Sequence, residues 1–164
     1  MPTRRRIIIG AGAVAVAAAT GAGAWIALRD DAGTHAFFAV DGIAIRGTDP
    51  VAYFTEGEAI AGSAEHTAEW SGVTWQFASA ENRDAFVAEP AAYAPQYGGY
   101  CAWAVAAKEE LYSTQPENWS IVDGKLYLNY SDGVQADWNE DRPGFIATGD
   151  ANWPRVREVL SPDT

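Results

Sequence analysis

Cysteine is nearly missing from this chain: Cys101 is the only one in 164 residues. An intramolecular disulfide is therefore impossible. One cysteine with two histidines, His35 and His66, cannot fill a four-ligand zinc site of the Cys/His type within one chain. Positive charge is scarce as well. Eleven Lys and Arg stand against 22 Asp and Glu, a net charge of −11. Nucleic acid and anionic membrane surfaces repel such a chain at long range. The sequence has no G-x-S-x-G elbow, no H-E-x-x-H and no phosphate loop. It has no internal repeat and no low-complexity tract beyond its first thirty residues. What it does have is aromatic side chains, with 7 Trp, 7 Tyr and 6 Phe, each able to bury a large area. Hydrophobic residues make up 48% and charged residues 20%, the composition of a folded protein.

The first residues read as an export signal. Thr3-Arg4-Arg5-Arg6-Ile7-Ile8 sets paired arginines before an apolar run, and no charge occurs from Ile7 to Leu28. A basic region, an apolar region and the small residues Ala22-Gly23-Ala24 are the parts of such a signal. The arginine pair resembles the twin-arginine type, which implies the twin-arginine export machinery as a partner and a periplasmic or other extracytoplasmic destination. The run is also long enough to span a bilayer, so residues 1–28 read as a signal or as a retained membrane anchor. Ile7 to Ala15 also fits strand plus G-x-G-x-x-A, with Asp30 further on. That nucleotide reading fails because no alternating strand–helix pattern follows.

Residues 29–36 form a linker, and residues 37–160 a globular unit. Asp49-Pro50 is a helix-start signal, with a short helical turn over Val51 to Phe54 that stops near Gly57. Glu65 to Trp70 and Val73 to Phe77 predict two strands joined at Ser71-Gly72. Ser79 caps a helix to about Ala88, with Phe86 and Val87 as its core edge and Pro90 as its stop. Pro90 to Tyr97 is turn-rich, and Gly98-Gly99 breaks the chain before a buried helix over Tyr100 to Ala106. Trp119 to Val122 and Lys125 to Asn129 flank the hairpin turn Asp123-Gly124. Ser131 to about Glu140 and Asn152 to Leu160 have apolar residues at helical spacings. The expected fold class is α+β: a small antiparallel sheet of hairpins packed against several short helices.

Several of these stretches carry a resemblance. Gly47 to Phe54, Trp75 to Arg83, Pro90 to Ala102, Val122 to Tyr130 and Ala151 to Pro154 together resemble the YHS-domain family, in its exported branch. The likeness covers most of the chain from Val40 to Trp153. It implies a binding role, since small YHS domains are associated with heavy-metal handling through cysteines in D-P-V-C-G-M and F-C-S-x-x-C motifs. This chain departs there. Ala52 stands in place of the first cysteine, and Ala78 and Asn82 occupy the region of the other two.

Attention therefore moves to Cys101, in a different motif. Thiolate and imidazole both suit copper, so Cys101 with His66 would supply two ligands to a soft ion such as Cu(I), if the fold joins them. Tyr97, Tyr100 and Trp103 would wall the site, and a second chain could complete it as a dimer. A helix start at Cys101 would favour its thiolate. The competing reading makes Cys101 a small core hydrophobe, His66 a solvated surface side chain and Asp49 a cap. Three functions follow: an exported soft-metal binding protein, a metal-free module for a partner protein, or a thiol-dependent enzyme using a Cys101–His66 pair.

Overall fold

The computed structural model describes residues 36–160. The expected signal, the linker through Thr34 and His35 lie outside the described residues. Three dipeptides shape the strands: Asp41-Gly42, Ser71-Gly72 and Asp123-Gly124 all have positive φ at both positions. That is the backbone of a type I′ turn, whose twist matches the strands it joins. The first turn links β1 (Ala39–Val40) to β2 (Ile43–Ala44), the second β3 (Ser63–Trp70) to β4 (Val73–Phe77), and the third β5 (Trp119–Val122) to β6 (Lys125–Leu128). Sheet order is β1-β2-β4-β3, with β5-β6 as a separate two-stranded sheet. The fold class is α+β, as expected. One pairing departs from the antiparallel expectation: β2 runs parallel to β4 at Ile43↔Thr74.

Strand β4 alternates. Val73, Trp75 and Phe77 are buried, while Thr74 and Gln76 are half-buried. The buried set meets α2 (Ala80–Ala88) through Phe86, whose ring centroid lies 4.9 Å from Trp75 and 5.2 Å from Phe77. Each such burial contributes about 1.5–3 kcal/mol. Val87 is a correction: it is 59% exposed, because successive helical side chains diverge and Phe86 takes the core direction. Ser79 caps α2 as expected, its Oγ accepting from Asn82 N at 3.1 Å.

Asp49 is the cap that the sequence expects, and more. Oδ1 accepts from Val51 N (2.8 Å) and Ala52 N (3.3 Å) at the start of α1 (Ala52–Thr55). Oδ2 accepts from Ala78 N (2.8 Å) and Asn82 Nδ2 (2.7 Å). One fully buried carboxylate thus ties α1 to the junction of β4 and α2.

The stretch after α2 is more helical than expected: α3 spans Pro90–Tyr93, and a turn of 3-10 type spans Gln96–Gly99. The helix expected from Tyr100 is shorter, as α4 (Ala102–Ala107), with Cys101 as its N-cap. The helix expected from Ser131 is α5 (Asp132–Glu140), and Ser131 caps it. The last helix is a further correction. It starts at Arg142 rather than Asn152, as α6 (Arg142–Val156), and ends in a 3-10 turn over Arg157–Leu160. Asp141 Oδ1 accepts from Gly144 N at 3.0 Å to start it, with Pro143 inside the first turn. Helix α6 also completes α4: Asn152 Nδ2 donates to the Val105 and Ala106 carbonyls, both at 3.1 Å.

Two left-handed turns organise the centre. Ile45, Arg46 and Gly47 have φ of 40°, 58° and 75°, and Tyr97, Gly98 and Gly99 have 53°, 62° and 76°. Phe38 joins them, donating to the Gly98 carbonyl (2.8 Å) and accepting from Ile45 N (2.9 Å). Left-handed backbone costs non-glycine residues free energy, so packing must hold Ile45 and Tyr97 in place. Gly98 has a second constraint, because a Cβ there would collide with the Ala36 carbonyl oxygen.

Candidate functional site

The turn Tyr97-Gly98-Gly99 leads directly into Cys101. Of the expected site residues, Tyr97, Tyr100 and Cys101 are buried and Trp103 is half-buried. Cys101 is fully closed to solvent. Its backbone N donates to the Tyr112 carbonyl at 3.0 Å, and its carbonyl accepts from Val105 N at 3.0 Å. Its Sγ donates to Asn129 Oδ1 across 3.5 Å. The same oxygen accepts from Trp103 N at 3.0 Å. Asn129 Nδ2 then donates to Gln135 Oε1 (2.9 Å), and Gln135 Nε2 to Ser120 Oγ (2.9 Å). The thiol is one end of a satisfied amide chain.

Two effects compete at this sulfur. Burial raises its pKa by disfavouring the thiolate, while backbone N–H groups of Ala104, Tyr130 and Trp103 act the other way. Burial wins and pushes the thiol up to about 11. The helix start is there as expected, yet it does not produce a thiolate. A thiol that stays protonated at neutral pH is a poor nucleophile and a poor soft-ion ligand.

His66 lies elsewhere. It is half-buried on β3, the outer strand of its sheet, in the irregular stretch between the Ser63 and Thr67 pairings. None of the hydrogen-bond partners of Cys101 belongs to that strand. Among the described residues, no group of three or more His, Cys, Asp or Glu is placed to hold a metal ion. The positions Ala52, Ala78 and Asn82, which stand for cysteines in the resemblance, do converge. All three donate to the Asp49 carboxylate. Their place is filled by an internal hydrogen-bonded knot.

An open, aromatic-walled space lies on the other side of the turn. A cleft of about 450 Å³ is lined by Phe37, Trp70, Tyr97, Trp153, Arg157 and Leu160, together with Ala91, Ala94, Pro95, Gln96 and Gly98. Two ring pairs contribute. Phe37 and Trp70 have centroids 5.1 Å apart, and Tyr97 and Trp153 5.7 Å apart. Tyr97 lines it while almost wholly buried, its hydroxyl engaged with Asp150 Oδ1 (2.9 Å) and the Ile146 carbonyl (3.2 Å). Burial first, then the bond to Asp150 and its charge, push that hydroxyl far above its ordinary range. Of the residues expected to wall a site, Tyr97 lines this cleft. Tyr100, Cys101 and Trp103 do not.

The sequence analysis missed Asn129, Phe37, Trp70, Trp153 and Arg157. Asn129 had one available signal, a short polar side chain directly after the strand Lys125–Leu128 and between two apolar neighbours. The cleft residues had none, being spread from residue 36 to residue 160. The chain matches no family model, no curated protein and no solved structure.

Proposed function

We propose that this chain is an exported binding protein of YHS-like architecture whose ligand site is the aromatic cleft beside Tyr97 and Gly98, not the thiol of Cys101. The carrying observation is the cleft itself: about 450 Å³, with two aromatic ring pairs in its lining. Sites for small molecules have this size and character. Left-handed backbone at Tyr97 supports the reading, since strained residues gather at sites that need a fixed geometry. The convergence of Ala52, Ala78 and Asn82 on Asp49 supports the YHS-like part. The export part rests on Arg4, Arg5, Arg6 and the apolar run behind them.

Two titrations test the reading. The neutral fluorophore N-phenyl-1-naphthylamine should bind wild type and Cys101→Ala alike. It should lose binding in Ala91→Trp, which places an indole at an exposed position of the lining. Loss in Cys101→Ala alone would move the site back to the thiol. The copper reading has its own test, an anaerobic Cu(I) titration against a competing chelator. Equal, weak binding by wild type and Cys101→Ser is the expected outcome.

A further inference from the structure

Arg157 lines the cleft, and no described side chain pairs with it. Five other described cations are engaged. Arg83 pairs with Asp84 at 2.8 Å and Arg155 with Glu109 at 2.6 Å. Arg142 donates to Asn139 Oδ1 (2.9 Å) and Arg46 to the Thr114 carbonyl (2.9 Å). Lys108 lies over the Trp103 ring at 5.6 Å. Lys125, beside a hairpin turn, and Arg157, in the cleft lining, have no such side-chain partner among the described residues. Among the described residues the lining contains no Asp or Glu. Asp150, held by the Tyr97 hydroxyl, is not part of it. In a chain of net charge −11, an arginine without a described acidic partner in a lining that also holds four aromatic residues is a local exception to the field.

We infer that the cleft selects a small organic anion, with an aromatic or apolar body against Phe37, Trp70, Tyr97 and Trp153 and a carboxylate or sulfonate head at Arg157. This inference rests on the cleft being the ligand site and adds the ligand's chemistry. The planar guanidinium forks onto two oxygens of one acid group, which an ammonium cannot do. The rings supply flat apolar faces that favour an aromatic body. Gln96, also in the lining, adds a neutral polar residue. The overall negative charge repels anions at a distance, so the head group gains from Arg157 only once seated, and the body supplies most of the affinity.

Paired probes separate the ligand's chemistry from the site's existence. Anilinonaphthalene sulfonate carries the charge, and N-phenyl-1-naphthylamine has the same ring system without it. Both should bind wild type, and the difference in anionic-probe affinity between wild type and Arg157→Gln should shrink with added salt. Arg157→Gln should weaken the anionic probe about fivefold to tenfold, the range of a charge-assisted contact at an exposed site. It should leave the neutral probe unchanged. Arg157→Lys should restore part of the loss. Arg157 is exposed, so these variants keep the fold, which matched denaturant midpoints verify. If Arg157→Gln leaves anionic binding unchanged while Ala91→Trp removes both probes, the cleft is a site but anion selection is wrong. If Ala91→Trp leaves both probes bound, the cleft reading falls and this inference with it.

Discussion

Two regions meet at the turn Tyr97-Gly98-Gly99, and they are built oppositely. On the side of Cys101, every polar atom described above has a partner. The thiol, the Trp103 N–H and the Asn129 amide form one closed chain. On the side of Tyr97, aromatic residues line an open cleft, and among the described residues Arg157 has no side-chain partner. A satisfied buried network rigidifies and excludes ligands. An open apolar surface with an unspent charge has free energy left to give a ligand. The residue with the most reactive chemistry in the sequence therefore holds the frame, and its aromatic neighbour Tyr97 lines the cleft.

Breaking the shared turn should have the largest effect. Gly98→Val forces a β-branched residue to φ of +62° and drives its Cβ against the Ala36 carbonyl. A loss of about 3 kcal/mol or more, with collapse of probe binding, is expected from denaturant melts and titrations. Asn129→Leu should be next, at about 2–3 kcal/mol, because it strands the buried Trp103 N–H. The surviving folded fraction should bind the neutral probe normally, which separates the two regions. A loss of cleft affinity in that fraction would join them.

A distant control calibrates these numbers. Gly124→Val in the last hairpin meets no neighbouring atom and has only the strain of φ +72°. It should cost about 1–3 kcal/mol, with probe affinity unchanged. An unaltered denaturant midpoint would refute the turn assignment.

The pH dependence is the subtlest comparison. The folded Cys101 thiol sits near 11, above its ordinary 9.0, so folding favours the protonated form. Its contribution is complete below about pH 9 and is lost as pH rises toward 11. Buried Tyr53, Tyr97 and Tyr100 are also raised and add to the alkaline loss. The difference between wild type and Cys101→Ala isolates the thiol: it should be flat to about pH 9 and shrink above it. In the native state at neutral pH, a disulfide reagent should modify Cys101 only as fast as the protein unfolds.

What was legible in the sequence was local. Ser71-Gly72 and Asp123-Gly124 announce hairpins because glycine at a positive φ is a property of the dipeptide itself. Ser79 and Asp49 announce caps for the same reason. The hairpin at Asp41-Gly42 escaped because its strands are two residues long, too short for alternation to register. The start of α6 escaped because Pro143, Gly144 and Gly149 weaken the helical signal, although Asp141 and Pro143 are proper start residues. Tyr97, singled out from its place beside the glycines, lines the cleft. Its partners Phe37, Trp70, Trp153 and Arg157 come from the two ends and the first sheet, and only tertiary packing brings them together.

Indole N–H signals offer the most direct test of the claim that ligand binds at the cleft and not at the thiol. With the tryptophans labelled with nitrogen-15 and assigned by substitution, adding N-phenyl-1-naphthylamine should shift Trp70 and Trp153, which line the cleft. Trp103, whose backbone N–H shares Asn129 with the thiol, should stay still. Movement of Trp103 with Trp70 and Trp153 unperturbed would contradict the account.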